Sequence, residues 1–479
     1  MGLAAEQDTY VLNALKYAII SDLDEVDADI APGAFLLLEN KFPSYTNHAL
    51  QAASDTIEAT VHPYGLKLVN LFFQFVHPAY PILSKFRFLR QYSTSKTELP
   101  ASLRGAVYAL GCAFWHRDGT SNITCPFEQQ ELVSMAHISL RHELEAPNLF
   151  KLQACLLLLH PRPPDIDSVE TPSTWILAAQ ATACAQMIGL HRDPTEWNIA
   201  AWEKSLRRKL WWATYMADCW SAVCHGNPSH IHSTSFDTQS LDIDDMNSDE
   251  EVPSDLKNQF PSAVSQTRLA DGLRFLEAVK ISRHLHDNLE CAFQVNPNQQ
   301  SITSSPSDRL ATLEMDMRDW KDVIPSCLGL EKRGPSQVHW NGQSKLLTAA
   351  LLYRGLMYPA TSEAKAEPSS SLRRWFAAAL AAFKPFTDFV SALKDDDLDY
   401  FWTRHARSQL ILCGNFLIYL FILALGPDEV KSAYQLLDWF HQALQRLGVS
   451  GNSNVHLLLR PLKLRIDSFF AQATDLLKR

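Results

Sequence analysis

The sequence contains no C-x-x-C pair, although nine cysteines are scattered from Cys112 to Cys413. That absence excludes a closely spaced zinc cluster built from these residues, and an odd, dispersed count gives no disulfide framework. A reducing intracellular compartment is the simpler expectation. Cations are also in deficit: 43 Lys and Arg face 53 Asp and Glu, a formal net charge of −10. A broad phosphate-neutralising surface, which nucleic-acid binding normally requires, is therefore not expected, although a local basic patch is compatible with this balance. No basic region precedes the apolar residues of MGLAAEQDTYVLNALKYAII, so this stretch does not read as a signal peptide, and Gly2 lacks the Ser or Thr that N-myristoylation prefers. The most apolar run, Leu410 to Leu425, is interrupted by Asn415 and falls short of the roughly 20 residues of a bilayer span. It reads as a buried helix, and no membrane is expected as a partner.

Convincing β-alternation and a fixed-period repeat are missing as well, which disfavours sheets and regular solenoids. What is present is a globular balance, 46% apolar and 20% charged residues in 479, enough to bury a large core. From Tyr64 the spacing of Leu66, Val69, Phe72, Phe73 and Val76 predicts an amphipathic helix that HPAYPIL stops at Pro78 and Pro81. Helical patterns recur around 101–116, 128–145, 148–160, 173–189 and 200–225, then near 265–290, and continue to the C-terminus. The fold class expected is all-α, a large irregular multi-helix domain. Residues 1–63 form an N-terminal helix and acidic loop, and 64–479 the helical body, with loops near 241–262 and 294–308.

The stretch from Gly189 to Asp218, GLHRDPTEWNIAAWEKSLRRKLWWATYMAD, supports two readings. HRDPTEWN has the spacing of a protein-kinase catalytic loop, with Asp193 as base and Asn198 as Mg²⁺ ligand. Phosphoryl transfer needs more, however: no G-x-G precedes His191, no strand lysine motif accompanies it, and no D-F-G follows Asn198. The competing reading is a helix exit, in which Gly189 caps the preceding helix and Pro194 cannot extend it. Asn198 is then the residue best able to cap the next helix, in which Leu206, Leu210, Ala213, Ala217 and Trp220 line one face and Trp211, Trp212 and Tyr215 broaden it. Arg207, Arg208 and Lys209 invite a phosphate reading, but Glu203 stands four residues before Arg207, the favourable order for a helix ion pair. Structural pairing is the expected role of this basic run.

These motifs, in their order, carry a family resemblance. LVNLFFQFVHPAYPIL (68–83), LRGAVYALGCAF (103–114), NLFKLQACLLLL (148–159), Trp175 to GLHRDP (ending at 194), and WEKSLRRKLWWATYMADCW followed by GNPSHI together resemble the fungal-specific transcription-factor domain. This middle homology region is found downstream of the zinc binuclear cluster in fungal gene regulators, and the resemblance covers residues 66–245. It implies an all-α regulatory domain in a nuclear transcription regulator without catalytic residues. The positions carried over are His77, Pro78, Pro81, Gly189, Leu190, His191, Arg192, Asp193, Arg207, Arg208, Trp211, Trp212 and Asp218, with a structural or interaction role implied. WNIAAWEK and LRRKLWW resemble wording in regulators of nitrogen-source utilisation. Ala200-Ala201 departs from the Ser-Pro that often opens the family's arginine helix, leaving capping to Asn198.

The resemblance further implies DNA contact through a zinc cluster outside this chain or through partner proteins. No cofactor is expected in the chain itself, and zinc is expected only with such a cluster. Other regulators or coactivators, a homodimer and a small-molecule effector are the partners implied, the effector enclosed between Phe- and Trp-rich helices. A rival enzyme reading rests on KDDDLD (394–399), in which Asp395, Asp396 and Asp399 satisfy the D-D-x-x-D spacing by which terpenoid synthases hold Mg²⁺ on a diphosphate. Its companion motif fails, because DDMNSDEE (244–251) ends one residue short and precedes the first motif. His77, His160 and His191 lack a visible nucleophile partner and read as hydrogen-bonded structural histidines.

Overall fold

The computed structural model describes residues 44–118, 124–162, 171–261, 269–292, 311–316, 353, 357, 367, 369–398, 401–447 and 453–478. Contacts divide the chain into Met1–Ala49 and Leu50–Arg479. Within the first unit only 44–49 is described, as the opening of helix α1 (Ser44–Val61). No strand occurs among the described residues, as the sequence pattern implies.

In the second unit the remainder of α1 packs Ile57 and Val61 into the core. It is tied there by charge: Arg104, wholly buried on α4 (Ala101–Cys112), donates to Glu58, to Ser54 Oγ at 2.6 Å and to the Leu99 carbonyl at 3.1 Å. The predicted helix after Tyr64 forms as α2 (Gly65–Leu71) and then widens into a π-turn, Phe72–Val76, whose His77 N–H reaches back to the Phe72 carbonyl at 3.0 Å. Phe72, Phe73 and Val76 all face inward across this turn. Helix α3 (Lys85–Thr94) follows, capped by Ser84, and α4 packs against α2, α5 (Gln129–Glu143) and α6 (Leu149–Leu158).

Helix α7 (Pro172–Met187) starts with proline at its first position and ends at Gly189, where φ is +77°. The Gly189 N–H bonds the Gln186 carbonyl and the Leu190 N–H the Ala185 carbonyl, so two orphan acceptors are met by one left-handed residue. The expected helix exit is thus present. Helix α8 (Ala201–His225) is the centre of the unit: every residue from Lys209 to Ala222 is buried, and it touches α6, α7, α9 (Ile243–Asn247), α11 (Leu269–Ala292) and α14 (His405–Leu423). A helix covered on all sides needs apolar residues all round, which is why three of its four tryptophans lie buried on it.

Segment 241–262 departs from the loop expected of its acidity. It forms α9 and α10 (Ser254–Gln259), buries Val252, Leu256 and Phe260, and places Asp245 inside the protein. Asp245 meets Arg208 and Asp249 meets Ser84, whereas Asp242, Asp244, Glu250 and Glu251 stay exposed, so charge marks solvent over only part of the segment. Residues 294–308 lie outside the described residues, as do 1–43. Toward the C-terminus, α12 (Ser371–Ala392), the one-turn α13 (Asp395–Leu398), α14, α15 (Pro427–Leu447) and α16 (Ser453–Lys478) pack together, with Phe383 against Phe416 at 4.6 Å and Phe386 against Phe440 at 5.2 Å. Helix α14 is long and apolar enough to cross a membrane by length and composition alone, but most of its apolar window is buried among α8, α15 and α16. The Leu410 to Leu425 run is accordingly a core helix.

Candidate functional site

The carried-over positions gather in two places. His77 closes the turn between α2 and α3: its Nε2 lies 3.0 Å from the Leu83 carbonyl, which fixes that nitrogen as the donor, and its ring sits 5.0 Å from Phe73. Burial, helped by the charges of Lys85 and Lys209, drives its pKa down to about 3, so the imidazole is neutral. Pro78 and Pro81, both half-buried, shape the turn it spans. The other positions lie on or against α8.

The loop after α7 is laced to residues 236–239. The Leu190 carbonyl accepts from Thr238 Oγ1 at 2.7 Å, the His191 carbonyl from the Asp237 N–H at 3.0 Å, and Arg192 pairs with Asp237 at 3.1 Å. Asp193 accepts from the Thr195 N–H and hydroxyl, from the Gln239 N–H at 2.8 Å and from Arg208 at 3.3 Å. Burial alone would push this carboxyl up; the hydrogen bonds of Thr195 and Gln239, with the Arg208 charge, outweigh it and hold the group below its ordinary value. A carboxylate so fully engaged is a loop anchor, and Asn198, the would-be metal ligand, is exposed. Asn198 also fails as the cap: α8 begins at Ala201 with Ala200 as its cap residue and no side-chain cap bond. Glu203 in the first turn meets the helix dipole instead.

The basic run is consumed internally. Arg207 donates to Glu203 at 2.9 Å and to the Ile188 carbonyl at 3.3 Å, which caps α7. Arg208 spreads its fork over Asp193, Thr195 (2.9 Å) and Asp245 (3.0 Å), and Lys209 is buried, its charge opposed by those of Asp249 and Asp245. Further along, Trp212 Nε1 bonds the Gln239 carbonyl at 2.7 Å, Trp220 Nε1 bonds Ser282 of α11 at 2.9 Å, and Trp211 is packed beside Phe236 at 5.2 Å. Asp218, wholly buried, accepts from Ser229 Oγ (2.5 Å), from the His230 N–H (2.9 Å) and Nδ1 (2.6 Å), and from the Ile231 N–H (3.0 Å). It thereby folds GNPSHI back onto the helix.

Sequence reasoning missed the acids that answer α8. Asp245 belongs to a capping box with Asp242, and Asp249 sits at the start of α3, accepting from Ser84 Oγ and the Lys85 N–H, each at 2.6 Å. The Asp242-x-x-Asp245 spacing was the available signal. A cavity of about 20 Å³, room for about one water, lies where Tyr80, His160, Met216, Trp220, His405 and Gln409 meet. Tyr80 Oη and both ring nitrogens of His160 and His405 point to no hydrogen-bonding group among the described residues. These polar groups are set into a lining that is otherwise largely apolar, with Met216, Ala217, Trp220 and Ala278.

Residues 69–322 match the fungal specific transcription factor domain family, and that span includes the lacing loop, α8 and its acids. The chain belongs to this family. Among similar proteins is the transcriptional activator protein DAL81 of Saccharomyces cerevisiae, 25% identical over 461 residues, 87% of this chain and 46% of that protein. An uncharacterized transcriptional regulatory protein of Schizosaccharomyces pombe is 31% identical over 258 residues, 52% of this chain and 38% of that protein. The cutinase transcription factor 1 alpha of Fusarium vanettenii is 25% identical over 382 residues, 77% and 38% respectively. The chain thus spans less than half the length of these relatives. Of the described cysteines, Cys155, Cys184, Cys219 and Cys413 are buried on four different helices. The terpenoid-synthase alternative finds no support in these relatives. Its Asp399 and the side chains of Asp395 and Asp396 lie outside the described residues.

Proposed function

We propose that this chain is the regulatory and interaction domain of a transcription regulator acting on RNA polymerase II genes in the nucleus, with no catalytic step of its own. The observation that carries this reading is the family match across a domain in which the helix with the longest basic run, Arg207 to Lys209, is buried and internally paired. A helix that has spent Arg207, Arg208 and Lys209 on Glu203, Asp193, Asp245 and Asp249 has no fork left for a phosphate backbone. DNA contact therefore belongs to a zinc cluster outside these residues or to a partner protein, and zinc to that cluster. Other regulators or coactivators, or a second copy, are the partners this reading supplies. The nitrogen-source assignment is the finer part of the proposal: relatives are named for cutinase, acetamidase and lactose regulation, so target genes do not follow from membership.

Chromatin occupancy together with affinity capture from cells tests the reading. Promoter association and recovery of transcription regulators are the expected results. A purely cytosolic protein, with neither promoter association nor such a partner, would overturn it.

A further inference from the structure

Two thiols outside the α8 site meet where α4 ends. Cys112 is the last residue of α4, and Cys125 lies four residues before α5 begins; their Sγ atoms are 3.3 Å apart. Cys112 Sγ also faces the Phe127 carbonyl at 3.8 Å, so its side chain is already turned toward the incoming segment. A disulfide needs an S–S distance of about 2.05 Å, so closure asks for a movement of roughly 1.3 Å. Cys125 can supply it, because it stands in irregular backbone between exposed Thr124 and Pro126.

We propose that Cys112 and Cys125 form a reversible intramolecular disulfide when the protein meets a peroxide, Cys125 being the thiol oxidised first and Cys112 the one that resolves it. Exposure sets the order: Cys125 is half-buried, whereas Cys112 is 7% exposed. Electrostatics set the same order. The hydrogen bond from Cys112 lowers the Cys125 thiol to about 7 against its burial, with the Phe127 backbone and the Lys67 ammonium assisting, so thiolate is available at neutral pH. The hydrogen bond to Cys125, with burial and the thiolate charge next to it, holds Cys112 in the protonated form.

The steps balance. Cys125 thiolate attacks one peroxide oxygen, the O–O bond breaks, a sulfenic acid forms, and the second oxygen leaves as hydroxide that takes up a proton to become water. Cys112 sulfur then attacks the sulfenic sulfur; the S–S bond forms, hydroxide departs, and it takes the Cys112 proton as a second water. Two thiols lose two electrons and the peroxide gains them. A small-molecule dithiol or glutathione-class thiol reverses the mark by exchange. The remaining described cysteines provide the internal comparison. Cys155, Cys184, Cys219 and Cys413 are buried with thiols pushed up, and Cys224 is half-buried at the end of α8.

The full chain is treated with hydrogen peroxide at neutral pH, free thiols are alkylated, and the digest is read by mass spectrometry with and without reduction. The expected result is a Cys112–Cys125 linked peptide that forms at least about tenfold faster than any oxidation of Cys224 and that disappears with dithiothreitol. Cys125→Ser, at a partly exposed position, is expected to leave Cys112 reduced. Cys112→Ser is expected to leave Cys125 as a sulfenic acid trapped by dimedone. Oxidation of Cys125 alone in the unaltered chain, or oxidation of the pair no faster than that of Cys224, overturns the proposal. Because the unaltered chain gives this readout, it does not depend on either variant folding.

Discussion

Asp218 offers the sharpest test of what holds the domain together. One of its oxygens, Oδ2, accepts three bonds, from Ser229 Oγ and the His230 and Ile231 N–H groups, while Oδ1 accepts one, from His230 Nδ1. In Asp218→Asn the amide oxygen can occupy the Oδ2 position and keep all three, and the amide N–H₂ can face His230 Nδ1 in its other tautomer. Only the charge is lost, which weakens the set by about 1–3 kcal/mol in total, the margin between charge-assisted and neutral bonds. Asp218→Ala takes the shared acceptor from the Ser229 hydroxyl and the His230 and Ile231 N–H groups at once, and the expected cost is about 3–5 kcal/mol, the sum of several hydrogen bonds to one charged acceptor. Urea unfolding followed by tryptophan fluorescence reads both variants, since Trp175 stacks on His230 at 4.2 Å and reports on this clamp. Equal shifts for Asn and Ala would refute the reasoning, and so would a loss for Ala below about 0.5 kcal/mol, the range of an ordinary surface change.

Three further outcomes are expected. Trp211→Ala removes a wholly buried ring and should lower stability by about 3–5 kcal/mol in the same urea assay; unchanged stability with lost partner capture would make the helix an interaction surface instead. Arg208→Lys should recover less than half of the stability lost in Arg208→Ala, about 2 kcal/mol remaining lost, because one ammonium cannot span Asp193, Thr195 and Asp245; full recovery in urea midpoints would show that charge alone matters. Stability should fall as pH falls from 7 to 5. His77 and His160 are depressed to about 3, chiefly by burial, so below about 6.5 the unfolded chain binds protons that the folded chain refuses. Each histidine then removes about 2 kcal/mol between pH 7 and pH 5, and a flat profile of urea midpoints over that window would contradict their burial as neutral rings.

The all-α class and most helix positions were legible because apolar spacing and Pro and Gly punctuation act locally. Pro172 and Gly189 bound α7 within a residue or two of the pattern that announced it. Asn198 misled because cap preference is a local tendency, and here the chain reaches α8 through Ile199 and Ala200 with the Glu203 charge serving the helix start. The acidic segment misled for a different reason. Asp245 and Asp249 are 37 and 165 residues from their partners Arg208 and Ser84, and no periodicity encodes a contact of that separation. The π-turn at Phe72 was hidden likewise, since its apolar residues fit a regular helical stripe equally well. The Arg104, Glu58 and Ser54 cluster is a third case, polar residues on apolar helices that find one another only on folding.

Asp193, Arg208, Trp212 and Asp218, among the positions that carry the family resemblance, share one physical task. Irregular backbone cannot satisfy its own N–H and C=O groups, so when a loop is pressed against a core, side chains must do it. Residues 189–199 and 226–242 are two such stretches, flanking α8 on both sides. Asp193 and Arg208 answer the first, Asp218 the second, and Trp212 binds the Gln239 carbonyl between them. Replacing these groups by apolar ones would leave α8 buried but the two stretches without fixed partners, and neighbouring helices α7, α9 and α11 would lose the register those stretches impose. That is why charged residues persist on a helix whose surroundings favour apolar ones, and why a basic run here signals internal architecture instead of a nucleic-acid surface.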